Sequence, residues 1–166
     1  MKKIAFLLTL FVFCMITVSC ASAPKTAEQI EQMTQDIEGY QLPIQLTRST
    51  AVVYVIRAKR TYGAWIPFKV SIDDSSKEKL SNASIIAYVI QPGEHTLTVK
   101  GENTKQIPFT ADAGQVYFFD VQPRMGFFYA RVNVESMDDV EGVYQVKHLY
   151  DEEKSIVVNV EPNPQP

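Results

Sequence analysis

The sequence predicts an all-β fold, namely an antiparallel β-sandwich of about seven to eight strands preceded by a cleaved signal helix and one short helix. Three observations lead to this prediction. Short apolar runs rich in β-branched and aromatic residues recur between residues 50 and 150. Turn-forming residues separate these runs, and no helical period connects them. The only two cysteines, Cys14 and Cys20, precede the predicted domain, so its core must be stable without a disulfide.

The first element of the mature chain is predicted to be a short helix that begins after Thr26. Thr26 and Gln29 have the spacing of a capping box. Ile30, Met33 and Ile37 place a narrow apolar stripe along the same helix. We expect this stripe to pack against the following domain. A docking helix for a partner or for the membrane plane is the alternative.

The predicted strands follow at the intervals typical of a sandwich. They cover residues 51–56, 66–72, 85–90, 96–100, 107–109, 116–119, 127–134 and 143–149. The first is apolar on both faces, as expected of a central strand, and Pro67 marks the second as an edge strand. Asp73 and Asp74 are suited to the turn that follows it. A single helical turn is expected near Ser136, and the proline-rich tail from Glu161 is predicted to be disordered.

Residues 1–19 have the pattern of a secretory signal peptide, with two lysines, an apolar run and a small residue before the cleavage point. Cys20 follows at once. This arrangement resembles the lipobox of bacterial lipoproteins, in which the cysteine thiol receives a diacylglycerol and becomes the new N-terminus. Thr17 stands where that family usually has leucine, which is similar to the looser boxes of some spirochaetes.

Two alternatives to lipidation are an ordinary signal peptide, cleaved after Ala21 or Ala23, and an uncleaved membrane-spanning helix. The second would need about 20 apolar residues, more than the leader contains. The lipoprotein resemblance implies a protein held at the cell envelope by acyl chains such as palmitate. Ala21 and Ser22 lack the aspartate that retains enteric lipoproteins at the inner membrane, so the resemblance favours the outer membrane, on its periplasmic or surface face.

The charge balance bears on possible partners. The full chain has a net charge of -3, and removal of Lys2 and Lys3 makes the mature chain more acidic. An acidic balance argues against nucleic acid and against electrostatic adhesion to anionic lipid. The membrane contact expected from the sequence is therefore the N-terminal lipid alone, with an envelope protein as the further partner.

Several local signatures occur in a fixed order within the predicted sandwich. They are residues 52–57, the turn Pro92-Gly93-Glu94-His95, residues 113–118, and Met125-Gly126-Phe127-Phe128 leading to Arg131. This order resembles the bacterial DUF2846 family, a domain of unknown function, and the Pro-Gly-x-His turn is similar to transthyretin-like and PEGA-type sandwich modules. The resemblance covers residues 50–135 and implies a small β-sandwich without an assigned activity. Together with the leader pattern and the predicted helix, this resemblance divides the chain into a signal peptide (1–19), a tether with a short helix (20–49), the sandwich (50–150) and a strand remnant with its tail (151–166).

No catalytic residue, metal ligand or cofactor site is predicted. His95 and His148 are the only histidines, and no serine is placed next to either as a triad requires. His95 is expected to be a hydrogen-bonded structural residue beside Leu97 and Val99. The acidic residues near positions 73 and 138 occupy turns and helix starts, which attract carboxylates in any case.

The aromatic residues give the strongest functional signal. Trp65 stands at a loop-to-strand junction, and three consecutive aromatic residues end with Tyr129. Neighbouring side chains of a strand face opposite ways, and in one arrangement Phe128 packs in the core with Ala130, Val132 and Val134. Phe127 and Tyr129 would then face outward beside Arg131, as a binding surface for protein or sugar rings. The alternative is that the N-terminal helix covers them.

These observations favour a non-enzymatic, lipid-anchored envelope protein whose sandwich is a binding or assembly module. A carbohydrate-binding accessory module that uses exposed aromatic residues is the second hypothesis. An envelope hydrolase, which would depend on scattered acids and two histidines, is the third.

Overall fold

The computed structural model describes residues 25–128 and 130–160, and in this part the chain forms a β-sandwich with two short helices. Cys20, Tyr129 and the tail from Glu161 lie outside the described residues. The elements are α1 (Ala27–Ile37), β1 (Ala51–Arg57), β2 (Phe68–Ile72), β3 (Glu78–Leu80), β4 (Ser84–Ile90), β5 (Gly93–Lys100), β6 (Thr104–Ala111), β7 (Val116–Met125), β8 (Ala130–Met137), α2 (Asp139–Leu149) and β9 (Ile156–Asn159). The larger sheet has the order β8-β7-β1-β4-β9 and the smaller sheet the order β3-β2-β5-β6.

The predicted all-β sandwich is confirmed, and several details differ from the sequence prediction. β2 is not the edge strand that Pro67 indicated, because it lies between β3 and β5. The described residues contain nine strands, because the three-residue strand β3 and the late strand β9 add to seven of the eight predicted strands. The larger sheet is also mixed, since β1 pairs with β7 in parallel and β4 pairs with β9 in parallel. β1 is buried over its whole length, as its two-sided apolar sequence predicts.

The prediction of a strand at residues 143–149 is wrong, because this segment is the C-terminal part of α2. The Asp138 carboxylate accepts a hydrogen bond from the N–H of Glu141 at 2.9 Å and caps the helix. Gly142 then lets α2 approach the larger sheet, since a Cβ there would lie 2.1 Å from the ring of Phe118. Val143 and Val146, three residues apart, both pack on this face of the sheet.

The core has two layers, one on each side of the larger sheet. Val53 and Val55 of β1 face the smaller sheet and belong to the main core. Val52 and Tyr54 face the opposite way, where α2 covers them. The predicted capping box of Thr26 is confirmed, and α1 packs on α2 with no residue of its own fully buried. Neither described helix is long and apolar enough to cross a membrane.

The strand register places four connections at one end of the sandwich, which we call the apical end. They are loop 58–67, loop 81–83, loop 101–103 and the connection between β7 and β8. The two sheets meet there, because the N–H of Glu102 donates to the carbonyl of Ala130 at 3.1 Å. The turns at residues 73–77, 91–92 and 112–115 lie at the opposite, basal end.

Candidate functional site

The most exposed large apolar side chains of the described residues lie together on two apical connections. Trp65 is 80% exposed, Met125 81%, Phe127 86% and Phe128 79%, and Tyr62 beside Trp65 is 45% exposed. We call these five residues the aromatic tip. Side chains of this size are normally withdrawn from water, so a cluster of them at one end of a domain is typical of a contact surface.

A buried arginine holds the loop that carries Tyr62 and Trp65. The guanidinium of Arg57 donates to the carbonyl of Gly63 at 2.7 Å and to the carbonyl of Ile66 at 2.6 Å. Its Cζ also lies 4.6 Å from the centre of the Phe68 ring. No carboxylate of the described residues forms an ion pair with Arg57. Burial lowers the pKa of the Arg57 guanidinium, and the carbonyl dipoles and the ring are what stabilise its charge.

The same loop rests on β7. Gly63 has a φ of +70°, and a Cβ there would lie 3.0 Å from the side chain of Pro123. The hydroxyl of Tyr62 donates to the carbonyl of Arg124 at 3.4 Å. These contacts bring the loop of Trp65 next to the strand that leads to Met125 and Phe127.

Loop 101–103 fixes the second half of the aromatic tip. The Glu102 carboxylate accepts the N–H groups of Phe127 at 3.2 Å and Phe128 at 3.3 Å. Asn103 bonds both backbone groups of Val132, accepting from its N–H at 2.6 Å and donating to its carbonyl at 3.0 Å. The smaller sheet therefore holds the β7–β8 connection by side-chain hydrogen bonds, and the two exposed phenylalanines stand on an ordered backbone.

The predicted surface residues are placed as follows. Trp65, Phe127 and Arg131 are exposed, and α1 covers neither Trp65 nor Phe127, because it lies on α2. The placement of Phe128 in the core is wrong. β8 begins only at Ala130, opposite Met125, so the alternation of the strand does not extend back to Phe128. Ala130, Val132 and Val134 are buried as predicted.

Cationic side chains flank the aromatic tip on both faces of the sandwich, a feature that the sequence analysis missed. In the smaller sheet, Lys69 lies directly opposite both Lys79 and Lys100. All three are exposed, and none forms an ion pair with a described residue. In the larger sheet, Arg124 lies directly opposite Arg131. Like charges in directly opposite positions destabilise a sheet, so both arrangements oppose folding.

The basal end has the opposite charge. Asp73, Asp74, Glu94 and Asp112 lie on its turns or next to them. Asp73 and Asp74 have φ values of +50° and +55°, and the N–H of Ser75 donates to the carbonyl of Ile72 at 2.9 Å, which closes a tight turn. The net charge of -3 therefore does not reveal this difference between the two ends.

His95 has the hydrogen-bonded position expected of it. Its Nδ1 lies 2.5 Å from Asp73 Oδ2, and its Nε2 lies 2.7 Å from the carbonyl oxygen of Gln91. Asp73 also accepts the N–H of Thr96 at 2.8 Å. Both ring nitrogens are engaged in holding the basal turns together, so neither is open to a substrate. His148 bonds Asp36 at 2.8 Å and links α2 to α1.

A polar groove of about 590 Å³ lies on the outer face of the larger sheet beside the helices. Its lining includes Lys25, Arg60, Asp120, Glu135 and Glu141. Burial raises the pKa of the Asp120 carboxyl, and a hydrogen bond from the Gln122 amide at 2.6 Å opposes that effect. Among the described residues, no group of three or more His, Cys, Asp or Glu side chains is arranged to hold a metal ion.

No protein-family model matches this chain, and none of the curated proteins is similar enough to it to count as a match.

Proposed function

We propose that this protein is a non-enzymatic, lipid-anchored module of the bacterial cell envelope that acts by contact at its aromatic tip. The observation that carries this proposal is the gathering of Trp65, Met125, Phe127 and Phe128 at one end of the sandwich. Arg57 and Glu102 hold the backbone of both connections by direct hydrogen bonds. A surface that is apolar, exposed and ordered is suited to binding, because little conformational entropy is lost when a partner covers it.

The anchor is proposed from the leader pattern and Cys20, with the outer membrane as the favoured location. The similarity to DUF2846 domains supports the same setting. An envelope protein is the partner expected from the sequence, and the module would then serve as an assembly subunit held beside the membrane. In this account the chain needs no cofactor, metal or nucleic acid.

Mass spectrometry of the protein from its own cells tests the anchor. We expect the mature N-terminus to be Cys20 carrying acyl chains, and we expect Cys20→Ala to release the folded protein from the membrane fraction. A mature N-terminus at Ser22 or Pro24, free of fatty acid, would contradict the proposal.

A carbohydrate-binding module is the second candidate, and the exposure of Trp65 beside Tyr62 favours it. Sugar rings stack on aromatic faces, and both side chains stand on one short loop. Binding to a glycan array that is lost in Trp65→Ala and kept in Val157→Ala would establish this function. Val157 is an exposed apolar residue of β9, away from the tip, so its variant is a matched control.

A further inference from the structure

We infer that the apical end contacts the anionic headgroup layer of a membrane, with the aromatic tip inserted among the headgroups and the flanking cations facing lipid phosphates. This inference deepens the proposed function and rests on it, because the proposed anchor is what places the protein beside a membrane. The contact itself uses residues that the structure describes.

The shape of the aromatic tip favours a deformable layer over a rigid partner. Met125 ends β7, and Phe127 and Phe128 follow in the turn, so three large apolar side chains project from one hairpin. Each is exposed by about four fifths, so these side chains project outward from the hairpin. The small pocket next to them, of about 260 Å³, is lined by Ile66 and Pro67 and also by Lys69 and Lys100. Tryptophan and tyrosine, whose rings carry a polar atom, are enriched in proteins at the level of lipid headgroups, and the tip contains Trp65 and Tyr62.

The cations lie on both outer faces of the sandwich near the apical end, where the headgroup layer around an inserted tip would contact them. Lys69, Lys79 and Lys100 form a row on the outer face of the smaller sheet, near its apical edge. Arg131 lies on the outer face of the larger sheet, one residue from the start of β8. A protein partner at the tip would meet one of these faces, whereas a membrane surface around the tip meets both. The repulsion within the lysine row is relieved when anionic headgroups approach it.

Among the described residues, no carboxylate forms an ion pair with the lysine row or with Arg131, although Glu102 lines one pocket with Lys69 and Lys100. Glu102 is the acidic residue of loop 101–103, and its carboxylate accepts the N–H groups of Phe127 and Phe128. The acidic turns around Asp73 and Asp112 lie at the basal end. This asymmetry orients the molecule with its cationic end toward a negative surface.

The proposed tether is long enough for this orientation. Lys25 is five positions after Cys20 in the sequence, and a fully extended chain of that length spans about 17 Å. Lys25 lines the same groove as Asp120. Asp120 is five residues from Met125 along β7, which is also about 17 Å at the rise of a strand. An anchor at Cys20 and the tip at Met125 are therefore able to reach one bilayer surface together.

The test uses Trp65, which is the only tryptophan of the chain and belongs to the tip itself. The acylated full-length protein is bound to vesicles of phosphatidylcholine alone or of phosphatidylcholine mixed with phosphatidylglycerol. We expect Trp65 emission to shift to shorter wavelength only with phosphatidylglycerol, and to be quenched there by lipids with brominated acyl chains. High salt should reverse both effects, because it screens the contact of lysine with phosphate.

Two variants and a control separate the two parts of the contact. Lys69→Gln combined with Lys100→Gln should abolish the shift in Trp65 emission that phosphatidylglycerol produces. Phe127→Ser combined with Phe128→Ser should reduce quenching by brominated lipids. Lys77→Gln removes an exposed positive charge near the basal end and should change neither signal.

Emission of Trp65 that stays at long wavelength while the acylated protein remains on phosphatidylglycerol vesicles would overturn the inference. A shift produced instead by an envelope protein, or by a glycan, would identify that class as the occupant of the tip. Failure of the anchor is seen separately, as a protein without acyl chains that leaves the phosphatidylcholine vesicles. In that case the Cys20→Ser chain is added to the same vesicles, and the Trp65 shift with phosphatidylglycerol still decides the inference.

Discussion

Arg57 is the residue on which the order of the aromatic tip depends most. It ends an otherwise apolar strand, and the sequence gives no sign of its burial, because a terminal arginine is usually solvated. The structure encloses it among the carbonyls of Gly63 and Ile66 and the ring of Phe68. The flat guanidinium meets two carbonyls at once, which the single ammonium group of lysine cannot do in the same way.

Substitution of Arg57 should therefore destabilise the whole domain. Arg57→Met removes the guanidinium donor from the carbonyl of Ile66 and leaves the carbonyl of Gly63 with the N–H of Ile66 alone, and we expect a loss of about 2 to 4 kcal/mol in the free energy of unfolding. Urea unfolding measures this loss. Lys59→Met, which removes an exposed cation of the same loop, should change stability by less than about 0.5 kcal/mol and is the control. Equal stability of the two variants would show that Arg57 does not hold the loop.

Asp120 gives a pH dependence of definite sign. Because burial raises the pKa of its carboxyl in the folded state, the folded state binds the proton more tightly than the unfolded chain does. Asp120 thus lowers stability at neutral pH, and its unfavourable contribution disappears as pH falls through the folded pKa toward 3.8. Asp120→Asn should raise the Tm at pH 7, and the difference from the unchanged chain should shrink below the folded pKa and vanish below about pH 3.8, the ordinary value of an aspartate. A Tm that falls in Asp120→Asn at pH 7 would mean that the hydrogen bond from Gln122 and the attraction to Arg60, 4.0 Å away, together outweigh burial.

At the scale of elements, the sequence predicts strands better than it predicts where they stop. β1 is central as its composition requires, and the capping box of Thr26 starts α1. Residues 143–149 form a helix because Asp138 caps it and Gly142 allows close approach to Phe118, two effects that no alternation pattern contains. Phe128 leaves the core because the register of β7 and β8 ends at Met125 and Ala130. The lysine row also depends on the register between β2, β3 and β5, so the sequences of the separate strands do not predict it.

Gly142→Ala tests the packing of α2 against the larger sheet. Alanine is the better helix former by about 1 kcal/mol, but the added methyl group would lie 2.1 Å from the ring of Phe118. Overpacking of this kind costs about 1 to 3 kcal/mol, so we expect net destabilisation by up to about 2 kcal/mol in chemical unfolding. A stabilised variant would show that α2 does not lie against Phe118.

Glu102 tests whether loop 101–103 orders the β7–β8 connection. In Glu102→Ala the N–H groups of Phe127 and Phe128 lose their acceptor, and hydrogen exchange at these two amides should become faster. Exchange in β1, at the centre of the larger sheet, should stay slow and serves as the internal control. Unchanged exchange at both amides would mean that other contacts fix the connection.

At the scale of the whole molecule, the sandwich is polarised in both charge and polarity. One end carries exposed aromatic side chains flanked by cations, and the other carries acidic turns closed by His95 and Asp73. The net charge of the chain does not show this separation of charge. Composition alone therefore argued against contact with anionic lipid, whereas the inferred contact depends on the cations at one end. The exposure of Trp65 and Phe127 agrees with the sequence prediction. The organisation of the tip by Arg57 and Glu102 depends on contacts between residues far apart in the chain.

The central claim is that the aromatic tip is a contact surface and not part of the fold. The most direct test is the double variant Trp65→Ala with Phe127→Ala, made in the full chain and expressed in its own cells. The account predicts an unfolding free energy within about 0.5 kcal/mol of the unchanged chain, because both side chains are already in water. It also predicts loss of in-cell crosslinks from the apical end, with Val157→Ala retaining them. A double variant that loses several kcal/mol of stability, or that keeps every crosslink, would contradict the claim.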